Sequence, residues 1–161
     1  MCFHGRSIFS DSAALCPAFL LPHIKRATDM DALDAYLEKV SDCARGYHVS
    51  ETTWDSQCSC VVQILNAALA EDALLRLREV FPDLWSRRDT SNLPDEIADI
   101  VQDFGGFRDG QFIAASHAMG DIRAWVWWSP WSDDVTVSIR FGLLGNVKEP
   151  QLLSLKNALL T

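Results

Sequence analysis

Trp125, Trp127, Trp128 and Trp131 crowd into the run Ala-Trp-Val-Trp-Trp-Ser-Pro-Trp, in a chain with only six tryptophans. No other feature restricts the fold as much. A buried tryptophan removes roughly 150–250 Å² from water, so such a run either anchors a core or forms a face that grips another molecule. Alternation sharpens the choice. Ile122, Ala124, Val126 and Trp128 form one side of an extended segment, and Arg123, Trp125 and Trp127 form the other. The next apolar run divides in the same way, with Val135, Val137, Ile139 and Phe141 opposite Thr136, Ser138 and Arg140. If the purely apolar sides cover the core, Trp125 and Trp127 stand outward beside Thr136, Ser138 and Arg140 as a recognition surface. If a helix covers that side too, both sides are buried. Trp131 lies in the turn Ser-Pro-Trp-Ser-Asp-Asp, where an exposed ring would be prominent.

The rest of the chain supplies the partners for this strand. Residues 1–27 lack a clean period and read as an irregular N-terminal arm, followed by a single domain over 28–161. Thr28 offers a cap for a helix carrying Met30, Leu33, Tyr36, Leu37, Val40 and Cys43, ending near Gly46. Residues 47–54 and 58–65 predict a hairpin, although residues 58–66 could instead extend the following helix backwards. Ala67 to Phe81 predicts a helix stopped by Pro82, and residues 83–92 a polar connector. A helix from about Asn92 to Phe104 ends at Gly105-Gly106. Three short strands, 111–117, 122–128 and 135–143, make an antiparallel meander, and 149–160 a last helix. Segregated runs of strands predict an α+β domain. Its antiparallel sheet, a hairpin plus a three-stranded meander, would be packed by about four helices.

Charge restricts the partners. Lys and Arg number 14 and Asp and Glu 22, a formal net charge of -8. That field repels phosphates, which argues against nucleic acid and favours a basic protein. Locally basic pairs occur only at Lys25-Arg26 and Arg87-Arg88. Asp34, Glu38 and Asp42 repeat every fourth residue on one expected helix, and Asp95, Asp99 and Asp103 on another. Like charges so placed cost a helix a few tenths of a kcal/mol per pair, so helix stability does not explain them. They read either as a solvated face or as a surface complementary to a basic protein.

Conventional chemistry finds little support. Five cysteines show no disulfide framework and fit reduced thiols in a cytoplasm. Cys58-Ser59-Cys60 with His48 falls short of a zinc site, because the expected hairpin pairs Thr53 with Cys60 and sets His48 roughly 13 Å along the ladder from Cys60. Ser116 and His117 point to opposite faces of a strand, so with Asp121 they make no triad. Gly105, Gly106 and Gly110 lie between a helix and a strand, the reverse of the order in anion-binding glycine loops. The apolar piece Ala13–Ile24 is broken by Pro17 and Pro22 and reads as no signal peptide; no run is long enough to span a membrane. No metal or cofactor is expected.

The resulting expectation is a small acidic protein-binding protein of the cytoplasm. In its sharpest form it is an immunity protein or antitoxin that neutralises a basic bacterial toxin. Asp34, Glu38, Asp42, Asp95, Asp99 and Asp103 would steer the approach, and Trp125, Trp127 and Trp131, with Arg123 and Arg140, would hold the partner. Alternatives are a secretion chaperone, a viral-type inhibitor of a host protein, and a small-molecule sensor or small enzyme with a tryptophan-lined pocket.

Overall fold

A computed structural model describes residues 29–160, so the expected arm over 1–27 and the Thr28 cap lie outside the described residues. The chain is built from α1 (Asp29–Arg45), β1 (Glu51–Asp55), β2 (Cys60–Asn66), α2 (Ala70–Val80), β3 (Asp83–Ser86), α3 (Asp95–Asp103), β4 (Phe112–Ala115), β5 (Ile122–Pro130), β6 (Thr136–Gly145) and α4 (Glu149–Leu159). Short 3₁₀ helices cover Ala67–Leu69 and Arg87–Asn92. All strand pairs are antiparallel, in the order β1-β2-β6-β5-β4-β3. The fold is therefore α+β. The expected hairpin and meander form one sheet, because β2 pairs with β6.

Two expectations are corrected. The connector over 83–92 contains a sixth strand: β3 pairs with β4, Trp85 opposite Ile113. A strand this short at an edge is held by backbone bonds along one side and needs no alternating apolar pattern. The hairpin register also differs by two residues from the expected pairing of Thr53 with Cys60; Thr53 pairs with Val62 and Asp55 with Cys60. The Asp55 carboxylate accepts from the Gln57 and Cys58 amides at 2.9 and 3.2 Å, and Ser59 takes φ 49°, which closes the turn one step later. The helical alternative for residues 58–66 falls with the same observation.

The sheet separates two cores. On one side Leu33, Leu37 and Val40 of α1, Leu77 of α2 and Leu155 of α4 pack on Val61, Val126, Ile139 and Phe141. Trp128 belongs here, stacked on Phe112 with centroids 5.7 Å apart. On the other side Ile97 and Val101 of α3 cover Ile113, Trp125, Trp127 and Leu144. Trp125 and Trp127 are 4% and 2% exposed, so the outward-facing expectation for them gives way to the covered one. Phe107 stacks on Trp127 at 5.2 Å, and Phe104 lies 5.9 Å from Trp125 and 5.1 Å from Trp127. Gly142 stands opposite Trp125 in the sheet, and a Cβ there would lie 2.3 Å from the indole. The ring therefore occupies the place of the missing side chain.

The stop of α3 sets the chain that frames the site. Gly105 and Gly106 take φ 78° and 84°, and the Gly106 amide donates to the Val101 carbonyl at 2.8 Å. That left-handed close is cheap only for glycine. It throws residues 107–111 across the end of β5. Among the described residues, no helix is long and apolar enough to cross a membrane.

Candidate functional site

Helix α3 packs on the β4–β5 part of its side, and Val62 and Ile64 of β2 remain only half-buried on the same side. A cleft of about 830 Å³ opens there, lined by Val62, Ile64, Gln111, Ser129, Trp131, Ser138 and Arg140 among others. Alternation explains the lining. Ser138 and Arg140 of β6 face Ser129 and Trp127 of β5 in register, and all four lie on the side opposite the first core.

Trp131 is 51% exposed at the rim, as its position in a turn predicts. Asp133 builds that turn: its carboxylate accepts from the Val135 amide at 3.0 Å, the Thr136 amide at 2.9 Å and the Thr136 hydroxyl at 2.6 Å. The Thr136 hydroxyl, then the Val135 amide, hold the Asp133 carboxyl below the ordinary carboxylate range. Asp134 closes the turn at φ 59°, and the Trp131 amide donates to the Thr136 carbonyl at 2.8 Å. The ring thus stands on an organised turn.

Arg140 carries the strongest chemical signal. Its guanidinium carbon lies 5.2 Å from the Phe104 centroid, a cation–π contact that pins it to the second core. Its Nε is buried and has no acceptor among the described residues. A buried donor left unmade costs about 1–3 kcal/mol, which a carbonyl or carboxylate entering the cleft would recover. The neighbouring polar groups are already engaged. Gln111 Nε2 donates to Ser129 Oγ at 2.7 Å, Gln111 Oε1 accepts from the Arg108 amide at 2.7 Å, and the Ser138 hydroxyl donates to the Ser129 carbonyl at 3.3 Å.

The other expected site residues go elsewhere. Arg123 is an internal clamp, donating to the Ser116 carbonyl at 2.8 Å, Glu96 at 2.9 Å and Asp83 at 2.6 Å, with its side chain 16% exposed. It ties β5 to β3, β4 and α3 and has little surface to offer. Asp34, Glu38 and Asp42 are exposed on α1, with Asp42 paired to Arg45. Asp95, Asp99 and Asp103 are exposed on α3. Because α1 and α3 pack on opposite sides of the sheet, the two ladders do not merge into one patch.

The remaining nucleophiles are quiet. Burial pushes the Cys60 thiol up to about 12, and Cys58, exposed at the hairpin turn, is raised by partial desolvation and then by Asp55. The Ser116 hydroxyl donates to the His117 carbonyl at 2.8 Å and accepts from the Ala124 amide at 3.0 Å, so it is tied to the backbone. Sequence reasoning missed Gln111, Ser129 and Arg108 as neighbours of Trp131. Their residue types carry no signal, and only the path of the 107–111 loop brings them together. No protein-family model matches the chain, and neither curated proteins nor solved structures show a significant similarity to it.

Proposed function

We propose that the protein works by binding another protein and neutralising it, with Trp131 and Arg140 as the gripping pair. In the sharpest form it is an immunity protein or antitoxin against a basic toxin, held in the cytoplasm. The observation that carries the reading is Arg140, whose buried Nε lacks an acceptor among the described residues, in a cleft that Trp131, 51% exposed, also lines. A tryptophan and an arginine lining one cleft are the residue types enriched in binding hot spots. The acidic ladders on α1 and α3 favour a basic partner by long-range attraction. Trp125 and Trp127 support this surface from beneath rather than touching the partner.

The test is capture from host lysate by the tagged full chain, followed by a salt step. The expected outcome is one basic protein in stoichiometric amount. Trp131→Ala should weaken its binding by about 2 kcal/mol or more, roughly 30-fold, with the fold intact. Arg140→Met should weaken it as well with little change in stability, since losing the orphaned donor offsets losing the cation–π contact with Phe104. Undiminished affinity in a folded Trp131→Ala protein overturns the assignment. The cleft volume of about 830 Å³ also supports a second reading, a small-molecule sensor or enzyme, because ligand sites span roughly 300–1,000 Å³. A small molecule retained in native mass spectrometry, without a protein partner, would favour it.

A further inference from the structure

A second cleft, of about 620 Å³, lies on the other side of the 107–111 loop, and Arg78, Arg87, Arg88 and Arg108 line it. Arg78 comes from the last turn of α2, Arg87 and Arg88 from the 3₁₀ helix after β3, and Arg108 from the loop after α3. Four of the fourteen basic residues in a chain of net charge -8 thus meet in one place. Among the described residues Asp109 is the one carboxylate of the lining, and it pairs with Arg87 at 2.6 Å, the two side chains being 92% and 68% exposed. Such a solvated pair contributes little. Arg78, Arg88 and Arg108 form no ion pair among the described residues. Asp89, next to Arg88, turns its Oδ2 to the Ser86 amide and hydroxyl at 2.8 and 2.9 Å.

We propose that this cleft binds a small ligand bearing a di- or triphosphate. Guanidinium groups repel one another when gathered, and their planar forks match oxyanions with several oxygens. A single carboxylate balances one guanidinium; a short phosphate chain offers charge to several at once. A long nucleic acid would extend beyond the cleft over a molecule of net charge -8. A compact anion senses the arginines within a Debye length of about 8 Å. Leu84, 37% exposed on the lining, gives an apolar wall for an attached organic group. The two clefts share Arg108, Asp109 and Gln111 of the loop between them, but the phosphate proposal does not rest on the protein-binding reading.

Calorimetric titration of the full chain with inorganic pyrophosphate tests it. The expected result is one-to-one binding that Arg88→Gln with Arg108→Gln weakens about tenfold or more. Both residues are exposed, and an unchanged urea midpoint would show that the double variant folds. Inorganic triphosphate and a nucleoside triphosphate then separate the sources. Equal affinity identifies the phosphate chain alone, and tighter nucleotide binding, reduced by Leu84→Ser, identifies an organic group on that wall. Absence of pyrophosphate binding overturns the proposal, as does equal affinity of the double variant. Tighter binding of a glutamate-rich peptide than of pyrophosphate overturns the phosphate class in favour of an acidic protein segment.

Discussion

Single residues in this molecule divide between those that hold the sheet and those left exposed at its surface. Trp127 is 2% exposed under α3 and Phe107, so Trp127→Ala should cost about 3–5 kcal/mol of stability. Gly142→Ala drives a methyl into the Trp125 indole and should cost about 1–3 kcal/mol. Urea unfolding followed by circular dichroism checks both, and a midpoint unchanged by Gly142→Ala would contradict the packing described for Trp125. The division was half legible in sequence. Alternation correctly sorted Trp128 from Trp125 and Trp127, because it follows from strand geometry alone. Which side a helix covers depends on how α3 crosses the sheet, and no local pattern encodes that crossing. The exposure of Trp131 was legible because a Ser-Pro-Trp-Ser-Asp-Asp turn leaves few places for its ring.

Among the elements, long periodic segments were the readable ones. The four α-helices among the described residues stand where apolar residues recur at helical spacing, and Pro82 and Gly105-Gly106 end two of them as their backbone chemistry requires. Strand β3 escaped because Asp83–Ser86 carries no alternation and depends on β4 for its bonds. The arginine cleft escaped for a related reason: only the chain path joins Arg78, Arg87, Arg88 and Arg108. The hairpin makes its own prediction. Cys58 is exposed at its turn, whereas Cys60 is fully buried at the first position of β2 and Cys43 is buried in α1. Alkylation of the native chain at pH 8, mapped by mass spectrometry, should modify Cys58 long before Cys43 or Cys60. Early labelling of Cys60 would mean that the hairpin opens.

For the whole molecule, the protonation of the core sets a limit on alkaline conditions. Burial pushes Cys43 up to about 11 and Cys60 to about 12 from an ordinary 9.0, and it holds Tyr36 and Tyr47 above their ordinary 10.0. The folded chain keeps these protons when the unfolded chain gives them up. Their contribution is therefore complete below pH 9 and declines as pH rises from 9 toward 12. A urea midpoint that holds to pH 8.5 and falls through pH 10–11 is the expected result; a flat profile would mean that those groups reach water in the fold. The acidic ladders, on opposite sides of the sheet, give the molecule acidic surface on both broad faces rather than one docking patch. The strand order has a further consequence at the sheet's two rims. Both outermost strands are brief: β1 has five residues bounded by Glu51 and Asp55, and β3 has four, beginning with Asp83. Short rims carrying carboxylates discourage a foreign strand from zipping onto them. A strand from another chain is thereby disfavoured at either rim, and the sheet stays at six strands rather than growing a seventh.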